Sequence, residues 1–238
     1  MNPRKNLEYK LFTTGWNAYQ AVLQHDYLWH SMAATALNQL LADRFGTTIP
    51  FSFLDLACGD SATTSAVLQN FSLVNYVGVD SSPTALIEAA RNKNGLGLNP
   101  KLIEADLLDF LTNNQEEFDV IYVGLVAHHF GADNLQHFFD LICKRLKPGG
   151  LLIAYETFLL PDETLEEHIN RLCLIIRYLW SEMPPVFKRN IIEHATTCDL
   201  PVSMAVWNEK TTNSGLTDTH IVMKSPDRLC AMVISSWK

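Results

Sequence analysis

Residues 53–63 read FLDLACGDSAT. An apolar stretch, FSFLDLA at 51–57, runs into a turn of small residues, Ala57, Gly59 and Ser61, and then into SATTSAVLQNF at 61–71, which reads as a helix. A short run that is apolar on both faces predicts a strand covered on both sides, as in a parallel sheet wrapped by helices. Small side chains at the turn let a ligand approach the backbone closely. The helix that follows presents unpaired N–H groups at its start. In open α/β sheets, ligands bind at this end of the strands, near the point where the strand order reverses.

Outward from that turn the same unit repeats. VNYVGVD (74–80) predicts a second strand and SSPTALIEAARNK the next helix, with Ser82 placed to cap it and Pro83 in its first turn. PKLIEAD (100–106), FDVIYVGLV (118–126) and LLIAYET (151–157) predict three more strands. DNLQHFFDLICKRL reads as an amphipathic helix stopped by KPGG. Residues from about 8 to 45 are expected to be helical, since Met32, Ala36, Leu37, Leu40, Leu41 and Phe45 recur at helical spacing. The segment 158–200 breaks the alternation and reads as helical, with Pro161, Pro184 and Pro185 inside it. A helix near 202–213 comes next. Two strands follow, DTHIVMK and LCAMVISSW; the turn chemistry of SPDR between them predicts an antiparallel hairpin at one sheet edge.

Charge narrows the ligand. Asp55 and Asp60 flank the first turn, and Asp80 ends the second strand 21 positions after Gly59. A carboxylate there is placed to accept hydrogen bonds from a ribose diol. A nicotinamide dinucleotide needs G-x-G-x-x-G/A; the chain offers Ala57, Gly59 and Ala62 at those positions, and no basic residue lies between Gly46 and Asp80. Two carboxylates repel a pyrophosphate but suit a cationic ligand with a free ammonium. Attraction between unit charges about 4 Å apart is worth roughly 1–4 kcal/mol, depending on the local dielectric.

These residues resemble the class I (Rossmann-like) S-adenosylmethionine-dependent methyltransferases over about residues 30–157 and, more loosely, the last 35 residues. FLDLACGDS is similar to the family's first motif, with Ala57 and Ser61 replacing two of its three usual glycines. YVGVD resembles the second, which implies Asp80 on the ribose hydroxyls with Ser81 beside it. EADLLDF resembles the third, which implies Asp106 on the adenine amino group beside the Leu107 backbone. FDVIYVGLVAHHF resembles the fourth, whose strand end, here Gly124 and Leu125, lines the methyl-transfer site. LKPGGLLIAYE resembles the fifth. The resemblance implies S-adenosyl-L-methionine as cofactor, held by Asp55, Ala57, Gly59, Ser61, Asp80, Ser81, Asp106, Leu107, Gly124 and Leu125, with S-adenosyl-L-homocysteine as product.

The expected fold is then α/β: one Rossmann-like domain with a mostly parallel seven-stranded sheet, helices on both faces, a C-terminal antiparallel hairpin and a helical lid. Its parts are an N-terminal helical cap (1–45), a cofactor-binding core (46–157), a lid insertion (158–200) and a helix with hairpin that complete the sheet (201–238). Trp16, Tyr19, Tyr27, Trp29 and His30 suggest the other half of that lid and an apolar, aromatic or cationic acceptor. Arg171 and Arg177 are either solvated or placed to meet an acceptor carboxylate. His129 and His128, just past the fourth strand, are candidate catalytic bases, although positioning and desolvation also carry methyl transfer. No metal is expected, because no ligand-spaced cluster is visible along the chain.

Composition sets the partners. The net charge is −8, from 18 basic and 26 acidic residues, with basic residues scattered in twos and threes. That argues against nucleic acid and anionic membrane and for a small-molecule acceptor. Five cysteines without CxxC pairing suggest free thiols and a cytoplasmic setting. No membrane-length apolar run and no signal peptide are read. A monomer and a homodimer both remain open. The other readings are a transfer-RNA or protein methyltransferase, a non-catalytic S-adenosylmethionine-binding module, and an NAD-dependent oxidoreductase, which Asp55 disfavours.

Overall fold

The computed structural model describes residues 16–92 and 100–238; residues 1–15 of the expected cap lie outside them. Two helices come first, α1 (Trp16–Gln24) and α2 (His30–Phe45). The side chain of Trp16 also lies outside the description. The core then alternates β1 (Phe51–Leu56), α3 (Ala62–Leu68), β2 (Leu73–Asp80), α4 (Pro83–Asn92), β3 (Lys101–Glu104), α5 (Leu107–Asn113), β4 (Phe118–Gly124), α6 (Gly131–Cys143) and β5 (Leu146–Thr157). The insertion holds α7 (Leu165–Tyr178) and α8 (Pro185–Cys198), and α9 (Met204–Asn213), β6 (Thr217–Lys224) and β7 (Cys230–Ser236) follow.

The seven strands form one sheet in the order β3-β2-β1-β4-β5-β7-β6. β1 to β5 pair in parallel, while β7 lies antiparallel to both β5 and β6. The chain builds outward from β1 through β2 to β3, then returns to β4 on the other side. The strand order therefore reverses between β1 and β4, and their carboxyl ends open a crevice there.

Alternation along the strands builds two cores. Phe53, Tyr76, Tyr122 and Tyr155 point to one face, against Leu37 and Leu41 of α2 and Ile176 and Trp180 of the insertion. Leu54, Val77, Ile121 and Ala154 point to the other, against Leu135 and Phe138 of α6 and Trp207 of α9. All six residues of β1 are buried, as a central parallel strand requires. Phe53 stacks on Tyr76 at 6.1 Å and on Tyr122 at 6.2 Å. This aromatic row fixes the register of three strands and so the height of Asp55, two residues further on.

Local signals explain the helix starts. Ala85 donates its N–H to Ser82 Oγ at 3.3 Å. Thr164 and Glu167 form a reciprocal capping box on α7. Pro185 opens α8, where a missing N–H costs nothing. One expectation changes: α6 ends at Cys143, and KPGG is the irregular start of β5 rather than a helix stop. The pairing of β4 with β5 slips between Phe118 and Val120. Gly149 N–H and Gly150 C=O pair with Trp237 O and N–H, at 3.0 and 2.9 Å. These backbone partners draw the segment into the sheet.

Candidate functional site

The turn after β1 is held in an unusual backbone state. Ala57, Gly59 and Ser61 have φ of 56°, 54° and 54°, and Leu125, at the end of β4, has 53°. Only glycine takes this left-handed region freely; other residues incur roughly 1–2 kcal/mol each. The positions where the family's glycines are replaced are thus positions where glycine relieves strain. Tertiary bonds hold the turn. Cys58 N–H donates to Val79 O at 3.0 Å, and Gly59 N–H to Asp80 Oδ2 at 2.9 Å. A Cβ built on Gly59 meets nothing within 4 Å, so its backbone faces open space.

A first prediction arises here. Ala57→Gly removes αL strain but adds unfolded-state entropy, for a net stabilisation of up to about 1 kcal/mol. In a chain of this size, thermal melting should rise by about 2–4 °C. A lower melting temperature would show that packing of the Ala57 methyl outweighs the strain.

Three carboxylates gather around this turn. Asp55 is buried, 2% exposed, and its Oδ2 accepts from Thr64 Oγ1 at 2.6 Å and Tyr76 OH at 2.8 Å. Burial pushes its carboxyl up to about 7; the two hydrogen bonds oppose that rise, and Asp80 and Asp60 add to it. Burial also raises Asp60 and Asp80. The Tyr19 hydroxyl is raised by burial first and then by Asp60, Asp80 and Asp55. Asp55 and Asp60 thus meet in one cleft, whose described lining holds no lysine or arginine.

Asp80 spans the turn. Its Oδ1 accepts Ser82 N–H at 2.8 Å while Oδ2 holds Gly59. Asp106 is exposed and caps α5, accepting from Leu108 N–H at 2.9 Å and Asp109 N–H at 3.3 Å. Asp55, Ala57 and Ser61 from the β1 side line one cleft with Gly124 and Leu125 from the β4 side. Ser81 and Leu107 follow the ends of β2 and β3, with Leu107 opening α5.

Aromatic residues close the cleft. Tyr19 of α1, His30 of α2, Tyr122 of β4 and Tyr155 of β5 complete its wall. The Tyr155 hydroxyl donates to Leu28 O, tying the N-terminal segment to β5. Tyr27 stacks on Trp180 of the insertion at 4.8 Å, nearly coplanar, and its hydroxyl accepts Glu182 N–H at 2.8 Å. Burial lowers His30 to about 4, so it stands neutral in this wall. Arg171 is partly exposed and is held by a carboxylate of this chain. Its Nε and Nη2 grip Glu163 at 2.7 and 3.0 Å.

The histidine pair is committed to other side chains. His128 Nδ1 lies 2.8 Å from Glu156 Oε2, and Oε1 of the same carboxylate accepts Val126 N–H and Ala127 N–H, both at 2.7 Å. His129 Nε2 lies 3.3 Å from His194 Nε2. Asp199 Oδ1 sits 3.6, 3.5 and 3.5 Å from Nε2 of His128, His129 and His194. Burial alone would raise Asp199, but these imidazoles hold it below the usual carboxylate range. No metal is expected from spacing along the chain, but the fold brings candidate ligands together. His128, His129 and Asp199 converge across 71 residues, a distance at which sequence spacing carries no signal. Thr64, Tyr76, Tyr155, Glu156, His194 and Asp199 also went unread; only alternation in β2 and β5 marked Tyr76 and Tyr155 as inward-facing.

Residues 53–150 match the family of methyltransferase domains. A ribosomal RNA large subunit methyltransferase K/L of Pseudomonas entomophila is 30% identical over 149 residues, which is 58% of this chain and 20% of that protein. A carboxy-S-adenosyl-L-methionine synthase of Photorhabdus laumondii is 24% identical over 164 residues, 67% of this chain and 64% of that one. The chain thus spans a fifth of the first relative and under two thirds of the second. Magnesium protoporphyrin IX methyltransferase from Synechocystis, solved with S-adenosylhomocysteine, superposes with a TM-score of 0.69 at 14% identity, covering 98% of this chain and 100% of that one. N-methyltransferase NodS from Bradyrhizobium japonicum gives 0.58 at 17% identity, covering 87% and 86%. Residues 53–150 thus carry a methyltransferase domain, and the acidic glycine turn at the β1/β4 crevice and the seven-stranded sheet are consistent with the class I (Rossmann-like) S-adenosylmethionine-dependent form of it.

Proposed function

We propose that this chain transfers a methyl group from S-adenosyl-L-methionine to O or N of a small-molecule acceptor. The observation that carries the reading is the cleft itself: Asp55 and Asp60 line it with no lysine or arginine among its described residues, Asp80 spans the adjoining turn, and the Gly59 backbone lies open. Bound there, S-adenosylmethionine supplies an electrophilic methyl group on a sulfonium. Asp55 faces its ammonium across the turn, Asp80 takes the ribose diol, and Ala57, Gly59 and Ser61 leave room for the chain between them. Ser81, Asp106 and Leu107 frame the adenine, and Gly124 with Leu125 floors the transfer site.

In-line displacement needs alignment and exclusion of water more than proton transfer. Tyr19, His30 and Tyr155 supply the exclusion. His128 and His129, with their nitrogens on Glu156, His194 and Asp199, serve this reading as positioning groups rather than bases. An aromatic wall favours an apolar, aromatic or cationic acceptor.

An RNA acceptor is the second reading, favoured by the ribosomal RNA methyltransferase relative. The net charge of −8 opposes it. Among the described residues no helix is long and apolar enough to cross a membrane, and all five cysteines are free, which suits a cytoplasmic protein, as monomer or homodimer.

Calorimetry should show S-adenosylmethionine or S-adenosylhomocysteine binding at micromolar concentration and no signal from NAD. Labelled methyl transfer into a metabolite extract, but not into RNA from the same cells, should follow. Comparable NAD binding would overturn the cofactor, and label in RNA alone would overturn the acceptor class.

A further inference from the structure

The cluster beyond β4 has the spacing of a coordination shell. Its donors come from two parts of the fold: His128 and His129 from the turn after β4, and Asp199 from the end of α8. One atom from each of His128, His129 and Asp199 falls within 4.8 Å of the others. Asp199 Oδ1 lies 3.6 Å from His128 Nε2 and 3.5 Å from His129 Nε2, while His194 Nε2 sits behind them, 3.5 Å from Asp199 Oδ1 and 3.3 Å from His129 Nε2. Ligands at about 2.0–2.1 Å around a tetrahedral zinc ion lie about 3.3–3.4 Å from one another.

The His129–His194 contact is a hydrogen bond, whereas Asp199 approaches His128 and His129 only loosely. A charged nitrogen and a carboxylate oxygen normally approach to about 2.7–2.9 Å. Asp199 Oδ1 is buried and faces Nε2 of His128 and His129 at 3.6 and 3.5 Å, longer than such a bond. A buried carboxylate is costly unless a cation or donor satisfies it. Glu156, 1% exposed, brings a second negative charge to the same place. No lysine or arginine ion pair reaches either group among the described residues. Glu156 also does what metal sites ask of an outer carboxylate. By accepting the His128 Nδ1–H at 2.8 Å, it turns the Nε2 lone pair toward Asp199.

We propose that His128 Nε2, His129 Nε2 and Asp199 Oδ1 form a binding site for a divalent transition ion, zinc by its donor set, with the fourth position left to solvent. The ion ties the helical insertion to the sheet core at the mouth of the β1/β4 crevice. Imidazole with carboxylate suits zinc better than magnesium or calcium, which prefer all-oxygen shells. Leu200 N–H on His128 O, at 2.8 Å, makes the same connection through the backbone.

Elemental analysis of the full chain, purified without a histidine tag, should find zinc near one equivalent. The chelator-stripped chain should take it up again against a chromophoric competitor. Asp199→Asn, close to isosteric, should weaken uptake about 100-fold, and His129→Gln by a similar factor. His220→Gln, at an exposed histidine on β6, should change nothing. Zinc should raise the melting temperature of the wild type and not of Asp199→Asn. Should neither variant fold, the visible spectrum of the cobalt-loaded wild type decides: tetrahedral intensity supports the site and a weak octahedral spectrum overturns it. Sub-stoichiometric zinc, or affinity unchanged in both variants, also overturns it. The readout is metal rather than turnover, so its failure leaves the methyl-transfer reading standing.

Discussion

Asp80→Ala should weaken S-adenosylmethionine binding roughly 10- to 100-fold, since a carboxylate on a ribose diol makes charge-assisted bonds worth about 1.5–3 kcal/mol. Both oxygens of Asp80 already accept backbone N–H groups, Oδ1 from Ser82 and Oδ2 from Gly59, with Ser81 N–H adding to them. The lone pairs left on the carboxylate oxygens are what the diol uses. The amides also fix the carboxylate plane, so binding need not organise it. Alanine removes the diol's partner and frees the Gly59 turn. Asp80→Asn separates the two effects: it keeps one acceptor oxygen and loses the charge, and should fall between wild type and alanine. Calorimetry gives the affinities, and circular dichroism confirms that the sheet persists. An affinity unchanged in Asp80→Ala would leave Asp80 as a staple of the turn and nothing more.

Much of this was legible because it is local. A doubly apolar strand, a small-residue turn and a capped helix are nearest-neighbour patterns, so β1, β2, α4 and the β6–β7 hairpin emerge near their observed limits. Asp55, Gly59 and Asp80 fall on strand ends whose relative places follow from parallel pairing. What stayed hidden depends on distance through space. Whether Asp106 touches a ligand or caps α5 is invisible in EADLLDF, since both uses want the same residue at the same place. Arg171 reads as either solvated or placed to meet an acceptor carboxylate until the fold puts Glu163 against it. His128 and His129 read as a base because their neighbours in space, Glu156, His194 and Asp199, sit 27 to 71 residues away in the chain. KPGG, a helix stop by composition, became a strand edge because Trp237 offered it hydrogen bonds.

Raising the pH from about 5 to about 7 should strengthen S-adenosylmethionine binding, by up to about tenfold per unit, because one carboxyl must ionise before it can hold an ammonium. That carboxyl is Asp55, whose value in the folded chain is pushed up to about 7 by burial. The rise should end near pH 8, where an α-amino group begins to lose its own proton. Asp55→Asn should flatten the acid limb and weaken binding about 10- to 100-fold near pH 7.5, in line with the attraction between unit charges about 4 Å apart. Stability should move the opposite way. Asp55 has a raised value when folded, from 3.8 to about 7, so its folded-state proton adds stability at low pH that is lost as pH climbs through about 7. Asparagine has no proton to lose and still accepts from Thr64 and Tyr76. The variant should therefore melt higher than wild type at pH 8, by an amount worth at most about a few kcal/mol, while binding its cofactor less well. A carboxylate kept only for structure predicts the reverse pair: lower stability and unchanged pH dependence. Calorimetric titrations across this range, with melting curves of both proteins at pH 8, tell the two apart.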